Sequence, residues 1–473
     1  MRKLKLLVMA ILLFSCSKDS INEEEFFNSN KSLLSFSVQE MPDHVFSSVG
    51  QNQLETFLEH PTDLIALTAV FSVSQGATVY VDSLAQQSGV TKNDFTDKVT
   101  YTIKAEDGSK SHFTVQINLK INSAQIPVDP DASAEIQNLL KNLNTLTASN
   151  QFAFGQEFPL SFQLNSLNFD LNTSDCKDVS GDHPGVFGID PHYMLYKSAA
   201  ERQLHIDEAR SAYENGSIVT FDFHQRSRVD GQIYYNQITT DTDKSLIYDI
   251  VNDQNAARLW YFSEIDEILG IINNDLGFPI IFRLFHEMNG NWFWWGTQTA
   301  NHTPTLYIDF YRLTVDYIKD RTNNVLFAWS PNWEADESYY PGDNYVDVVG
   351  IDYYEATKTN LSQSLKDLTI FSTQHNKVTA LTETGDQGYI RSNADFWTEN
   401  ILSVIEYSGN EIKIAWVLGW FNAPWDSSQD NLFIPNTSSP QNAKDDFMNF
   451  KNNEKVLFQQ DVKALKIYQS GGD

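Results

Sequence analysis

Eight short apolar runs, each closing on polar or aromatic residues, recur between residues 151 and 422 with helix-like segments between most of them. They are "QFAFGQE" (151–157), "GVFGID" (185–190), "SIVTFDFH" (217–224), "PIIFRLFHE" (279–287), "NVLFAWSPN" (324–332), "VDVVGIDYY" (346–354), "VTALTETG" (378–385) and "IAWVLGWFN" (414–422). Continuous apolar runs of this length are what parallel strands buried on both faces require. "RLWYFSEIDEILGIINN" and "PTLYIDFYRLTVDYIKDR" have helical patterns. Strand and helix in alternation define the α/β class, and eight such strands are the count for a (β/α)8 TIM barrel. That fold carries its chemistry at the C-terminal strand ends. The last residues of each run are therefore the candidates.

Those ends supply Glu157, Asp190, His224, His286 with Glu287, Asn332, Asp352 with Tyr354, Glu383, and Trp420 with Asn422. No glycine-rich phosphate loop accompanies them. His286-Glu287 continues as Met288-Asn289-Gly290 rather than to a second histidine four residues on, so a helical metal site is not indicated and no metal or cofactor is expected. The formal net charge of −29 argues against a polyanionic partner such as nucleic acid, which the surface would repel. Ten Trp and 20 Tyr exceed the needs of a core and leave rings to line a site for flat, uncharged ligands.

One chemistry uses these parts best. Two carboxylates flanking a glycosidic bond, one protonated and one ionised, suffice to cleave it while aromatic rings hold the sugar faces. Glu287 closes the fourth run and Glu383 the seventh, a gap of about three βα-units for a barrel spending roughly 31 residues on each. These two ends face each other across the mouth. Trp292, Phe293, Trp294 and Trp295 would exclude water beside Glu287 and raise its pKa, as a general acid needs. Glu383, between two threonines, has a more polar setting and should stay ionised. Strand alternation puts Arg283, Phe285 and Glu287 on one inward face, with Arg283 available to support Glu383.

The segments "FRLFHEMNGNWFWWG", "FAWSPN", "YYPGDNYVDVVGIDYY" and "ALTETG" resemble those of glycoside hydrolase family 26, best known for endo-β-mannanases. The resemblance runs over residues 150 to 425. It implies Glu287 as general acid/base, Glu383 as nucleophile and His286 as the imidazole beside the acid. It further implies Trp292 near the +1 sugar, Tyr354 holding the nucleophile, and His224 with Trp420 in the −1 subsite. Two texts depart from the family pattern: Phe421 follows the eighth-strand Trp where Arg is frequent, and "FHQRSRVDG" replaces a His-Pro-Asn-Asn continuation. The first strand also lacks a His that often follows its glycine. The implied substrate is mannan, galactomannan or glucomannan. β-1,3-Xylan or mixed-linkage β-glucan, and a non-catalytic glycan-binding lipoprotein, are the alternatives.

Ahead of the barrel, residues 31–120 read as short alternating strands, ending in a hairpin turned at Asp107-Gly108, and imply a small all-β sandwich. This stretch resembles immunoglobulin-like modules of Bacteroidetes surface proteins. Residues 121–133 read as a linker, and Ser133 as the cap of a helix opening the domain at 134–473. Residues 1–15 have a basic start and an apolar run ending Leu13-Phe14-Ser15-Cys16, similar to a lipoprotein signal. The expectation is lipidation at Cys16, a tether over 16–30, and a monomer anchored in the cell envelope at the outer membrane. Cys176 would then be the one other cysteine, leaving no intrachain disulfide.

Overall fold

All eight expected strands form, as Phe152–Glu157, Val186–Ile189, Ile218–Asp222, Ile280–Arg283, Val325–Trp329, Val348–Tyr354, Val378–Gly385 and Trp416–Gly419. They pair in parallel in chain order, and the first strand bonds to both the second and the eighth, which closes an eight-stranded TIM barrel. A short ninth strand, Val456–Leu457, pairs in parallel with the start of the first. These come from a computed structural model, whose described residues are 27–470 apart from 43, 51, 59–63, 97, 120–125, 165–168, 355–356, 389–394, 410, 427 and 429–430.

Alternate strand residues face opposite layers. Ala153, Val186, Ile218, Ile281, Val348 and Val378 fill the lower barrel interior, while Phe154, Phe187, Val219, Phe282, Val349 and Leu381 pack outward against the helices. The helix Ala134–Ala148 drives Ile136, Leu139, Leu140 and Leu143 into the interior cluster and so closes the barrel floor. Ser133 caps it as expected, its Oγ accepting from the Ile136 amide at 3.3 Å. With the floor sealed by apolar side chains, the C-terminal mouth is left for chemistry.

The stretch read as a linker is partly structural. Val128 donates its amide to Asp347 Oδ1 at 2.7 Å, the Ser133 amide bonds to the Asn323 carbonyl, and Asp129 and Ala132 are buried. A buried carboxylate far along the chain therefore fixes residues that composition alone marks as loose.

The chain divides into two units, one built on residues up to Glu55 and on Ala66–Gln116, the other on Thr56–Ile65 and Ile117–Asp473. The first is all-β, with a six-stranded and a three-stranded sheet. Its hairpin pairs Val99 with Val115 and Lys104 with Lys110, and Gly108 takes the φ of 83° that the turn requires. Tyr101 and Phe113 stack at 5.0 Å in one sheet and meet Phe36 of the other at 5.6 and 6.0 Å. The leader, Cys16 and the tether as far as residue 26 lie outside the described residues. Among the described residues no helix is long and apolar enough to cross a membrane.

Candidate active site

The inward residues at the upper ends of the strands form a buried ring of charge. Arg283, 1% exposed, is its hub. Its Nη1 donates to Asp352 Oδ1 at 2.8 Å, to Asp352 Oδ2 at 3.1 Å and to Ser330 Oγ at 3.1 Å, its Nη2 bonds to Glu383 Oε1, and Asp222 lies 4.0 Å away. Tyr354 Oη donates to the other Glu383 oxygen at 2.8 Å. Tyr354, rather than Tyr353, is the tyrosine that reaches the carboxylate.

Glu383 faces inward just past a bulge, at which the seventh strand carries one extra residue. Leu381 pairs with Ile351 on one side and Val417 on the other, but the next pairs are Glu383 with Asp352 and Thr384 with Gly419. Continuous alternation from outward Leu381 would send Glu383 to the helix layer. The bulge at Thr382 turns both Thr382 and Glu383 into the barrel, where Thr382 Oγ1 donates to Asp352 Oδ1 at 2.7 Å. Gly350 on the sixth strand makes room, since a Cβ there would stand 2.4 Å from Thr382 Cγ2.

The fourth strand departs from expectation. It ends at Arg283, and Phe285 and Glu287 follow in the left-handed region at φ 50° and 54°. Alternation therefore stops there: Phe285 packs outward on Phe310, ring centroids 4.1 Å apart, while Arg283 and Glu287 reach the mouth. The Glu287 amide bonds to the Ser330 carbonyl at 2.8 Å, which holds this strained exit against the fifth strand.

Single carboxylate oxygens of Glu287, Glu383 and Asp352 lie within 4.8 Å of one another. Burial raises the Glu287 pKa from the usual carboxylate range to about 8, reinforced by the charge of Glu383 and opposed by a 2.7 Å hydrogen bond from Trp292 Nε1. Burial raises Glu383 as well, and its polar surroundings are protein groups: Arg283, His224 and the Tyr354 hydroxyl pull its pKa down, against the charge of Asp222. What favours the ionised Glu383 is direct pairing with a guanidinium, and Glu287 is the member of the pair held protonated.

His224 stands between two carboxylates, Nδ1 at 3.0 Å from Asp190 and 3.3 Å from Asp222. Burial disfavours its cation, yet Asp190 and Asp222 raise its pKa well above the imidazole range. Its Nε2 lies 3.3 Å from His286 Nε2, and burial, with the nearby His224 and Arg283 charges, holds His286 neutral. A charged His224 donating from its Nε2 to the Nε2 of a neutral His286 accounts for this contact. Trp420 closes this side, 6.1 Å from the His224 ring and 6.5 Å from Tyr354.

Of the four consecutive aromatics, only Trp292 bonds to Glu287. Trp294 and Trp295 are fully buried and donate to the carbonyls of Gln225 and His286. Each buries on the order of 200 Å² of ring, roughly 5 kcal/mol of transfer free energy, which assigns them to folding. Phe293 stacks on Trp295 at 4.4 Å. Asn422 is likewise structural: fully buried, it accepts from the Phe433 and Ile434 amides. Asp222 is a site residue the sequence reading passed over, although alternation from Ile218 and Thr220 points it inward. Glu157 is buried against the second strand, where a Cβ on Gly188 would collide with its Oε2, and burial, then Asp222 and Glu383, push its pKa well up.

Among the described residues two donor sets have metal-like spacing, Glu287–Asp352–Glu383 and Asp222–His224–His286. Arg283 already neutralises the first and the His224 proton the second, so both are compensated by protein groups.

Residues 128–425 match the family model described as glycosyl hydrolase family 26. The chain belongs to glycosyl hydrolase family 26. Residues 33–117 match a model described as the N-terminal region of SGBP. A mannan endo-1,4-beta-mannosidase of Bifidobacterium adolescentis is 27% identical over 376 residues, 71% of this chain and 36% of that protein, so the chain spans about a third of this relative's length. The GH26C structure from a Muricauda species superposes with a TM-score of 0.66 at 27% identity, covering 73% of this chain and 96% of that one. The catalytic domain of a GH26 endo-beta-1,4-mannanase from a Bacillus species gives 0.65 at 26% identity, covering 74% and 98%.

Proposed function

We propose that this family 26 chain hydrolyses internal β-1,4-mannosidic bonds of mannan, galactomannan or glucomannan with retention of configuration. The observation that carries the reading is the glutamate pair. One carboxylate oxygen of Glu287 lies within 4.8 Å of one of Glu383 across the mouth, in keeping with the about 5–5.5 Å between the carboxyl groups of pairs that act through a covalent intermediate. Their surroundings differ as the two roles demand. Glu287, protonated to about pH 8, gives its proton to the departing glycosidic oxygen, while Glu383, paired with Arg283 and Tyr354, attacks the anomeric carbon. Water then attacks the glycosyl-enzyme, losing its proton to Glu287 as the bond to Glu383 breaks. His224, His286 and Trp420 line the sugar site beside Glu383, Trp292 the leaving-group side, and Arg283 is the positioning residue for Glu383.

The relatives named as mannanases support the substrate. Phe421 and the segment after His224, which depart from the family pattern, favour a second reading in which the same machinery takes β-1,3-xylan or mixed-linkage β-glucan. Product profiling on galactomannan, glucomannan, β-glucan and β-1,3-xylan, with the anomer first released read by NMR, tests both. Turnover of mannans giving the β-anomer is expected. Inversion, or activity confined to the other polymers, would overturn the mechanism or the substrate respectively.

The leader supports lipid anchoring at Cys16 in the outer membrane, with the barrel acting as a monomer since one chain supplies the whole charged ring. Labelled palmitate should enter the native protein and not Cys16→Ala; incorporation in both refutes the anchor.

A further inference from the structure

Glu157, buried at the end of the first strand, takes no part in the bond-making steps. Alternation from inward Ala153 through Gly155 turns its side chain into the barrel. It pairs with Gly188 of the second strand, and its carboxyl lies over that residue, where a Cβ would collide with Oε2. Gly188 pairs in turn with Thr220 of the third strand, whose next inward residue is Asp222. A missing side chain on the second strand thus lets a carboxyl of the first reach toward one of the third.

Both carboxyls lack donors. Among the described residues no hydrogen bond reaches Glu157 Oε1 or either oxygen of Asp222, which has only its 3.3 Å approach to His224 Nδ1 and its 4.0 Å approach to Arg283 Nη2. Two buried carboxylates side by side repel one another and leave their lone pairs unanswered. One proton shared between them removes both penalties. The surroundings decide which carboxyl holds it. Burial disfavours the charge of Asp222, but His224 and Arg283 keep it ionised. For Glu157, burial, then Asp222, Glu383 and Asp190, all disfavour the charge, and the opposing Arg283 is already bonded to Asp352 and Glu383. Tyr193, on the helix Pro191–Leu195, is the neutral titratable group beside them.

We infer that Glu157 is a positioning residue that keeps its proton through the catalytic cycle and donates it in a hydrogen bond to Asp222, fixing that carboxylate against His224. This rests on the hydrolase reading above for its effect on catalysis, but not for the place of the proton. Asp222 so held keeps the His224 cation beside the sugar site, and that cation favours the ionised Glu383. A neutral Glu157 also spares the mouth one more negative charge that would oppose the nucleophile.

Two variants and two readouts test this. In the infrared difference between the wild-type chain and Glu157→Gln near neutral pH, the carbonyl stretch of one protonated carboxyl should stand on the wild-type side. Carboxylate bands in its place overturn the inference, whatever the substrate. The second readout is the acidic limb of kcat/KM on soluble galactomannan, which follows Glu383: activity is present above its pKa and lost as pH falls through it. Glu157→Leu removes the donor, weakens the His224 cation and should move this limb up by about one pH unit. Glu157→Gln, neutral and still a donor, should restore the wild-type limb. A limb that moves down in Glu157→Gln marks the loss of a negative charge and overturns the neutral carboxyl. A limb unmoved in Glu157→Leu overturns its action through Asp222; where Glu157→Leu does not fold, the glutamine limb and the infrared band decide. A chain inert on every polysaccharide offered overturns the hydrolase reading, and the infrared difference alone then decides the place of the proton.

Discussion

Replacing Trp292 by Phe removes one hydrogen bond, Nε1 to Glu287 Oε2 at 2.7 Å, and keeps an aromatic ring at the mouth. That bond favours the ionised carboxylate, so its loss should raise the pKa of Glu287 further above about 8. A bond to a charged acceptor is worth about 1.5–3 kcal/mol and one to a neutral acceptor about 0.5–1.5, so at the midpoints the ionised form loses roughly 1.25 kcal/mol more than the neutral one. At 1.36 kcal/mol per pH unit, the shift is about one unit. Catalysis needs the Glu287 proton, so activity is present below this pKa and lost as pH rises through it. The alkaline limb of kcat/KM against pH on soluble galactomannan should therefore move from about 8 to about 9. The maximum itself should drop as well if the indole contacts substrate as proposed; the limb, not the maximum, carries the test. A limb that stays in place, or moves toward neutral pH, refutes Glu287 as the acid that Trp292 contacts.

Glu383→Ala should abolish turnover, by at least about 10³-fold, with an unchanged far-UV spectrum; near-normal turnover on the proposed substrate would sink its role as nucleophile. Glu287→Ala should slow polymer cleavage by about 10²–10⁴-fold but spare substrates with activated leaving groups, and equal losses on both would remove its role as acid. Arg283→Met leaves Asp352 and Glu383 buried without their shared cation, so urea unfolding should show a loss of about 3–5 kcal/mol along with the loss of activity; unaltered stability would show that the two carboxyls do not depend on it.

The barrel was legible because parallel strands buried on both faces write themselves as uninterrupted apolar runs, and Glu287 and Glu383 because such strands deliver their last residues to one end. The helix cap at Ser133 was legible too, since capping is local chemistry. What stayed hidden was whatever depends on partners distant in the chain or on backbone conformation without a glycine to mark it. Phe285 and Glu287 take left-handed dihedrals in an otherwise strand-like run, so alternation misplaced Phe285. Val128 and Ser133 read as linker because the groups that hold them, Asp347 and the Asn323 carbonyl, lie some two hundred residues away. The aromatic run after Glu287 could not be divided between mouth and core from composition, because four neighbouring rings look alike until their hydrogen-bond partners are known. Asp222 was within reach, being a lone carboxylate two residues beyond inward Thr220.

The bulge at Thr382 gives the seventh strand two inward side chains in succession, so the mouth gains a hydroxyl there without its glutamate giving up its place. Removing Thr382 would restore unbroken pairing with the sixth and eighth strands, and because the glutamate would then directly follow outward Leu381, it would still face the mouth. What such a chain would lose is the 2.7 Å bond from Thr382 Oγ1 to Asp352 Oδ1. Gly350 would be released from its constraint at the same stroke, since the side chain it accommodates would be gone. In a descendant of this chain, a missing residue before the second glutamate and a side chain at the position of Gly350 would be expected to arrive together.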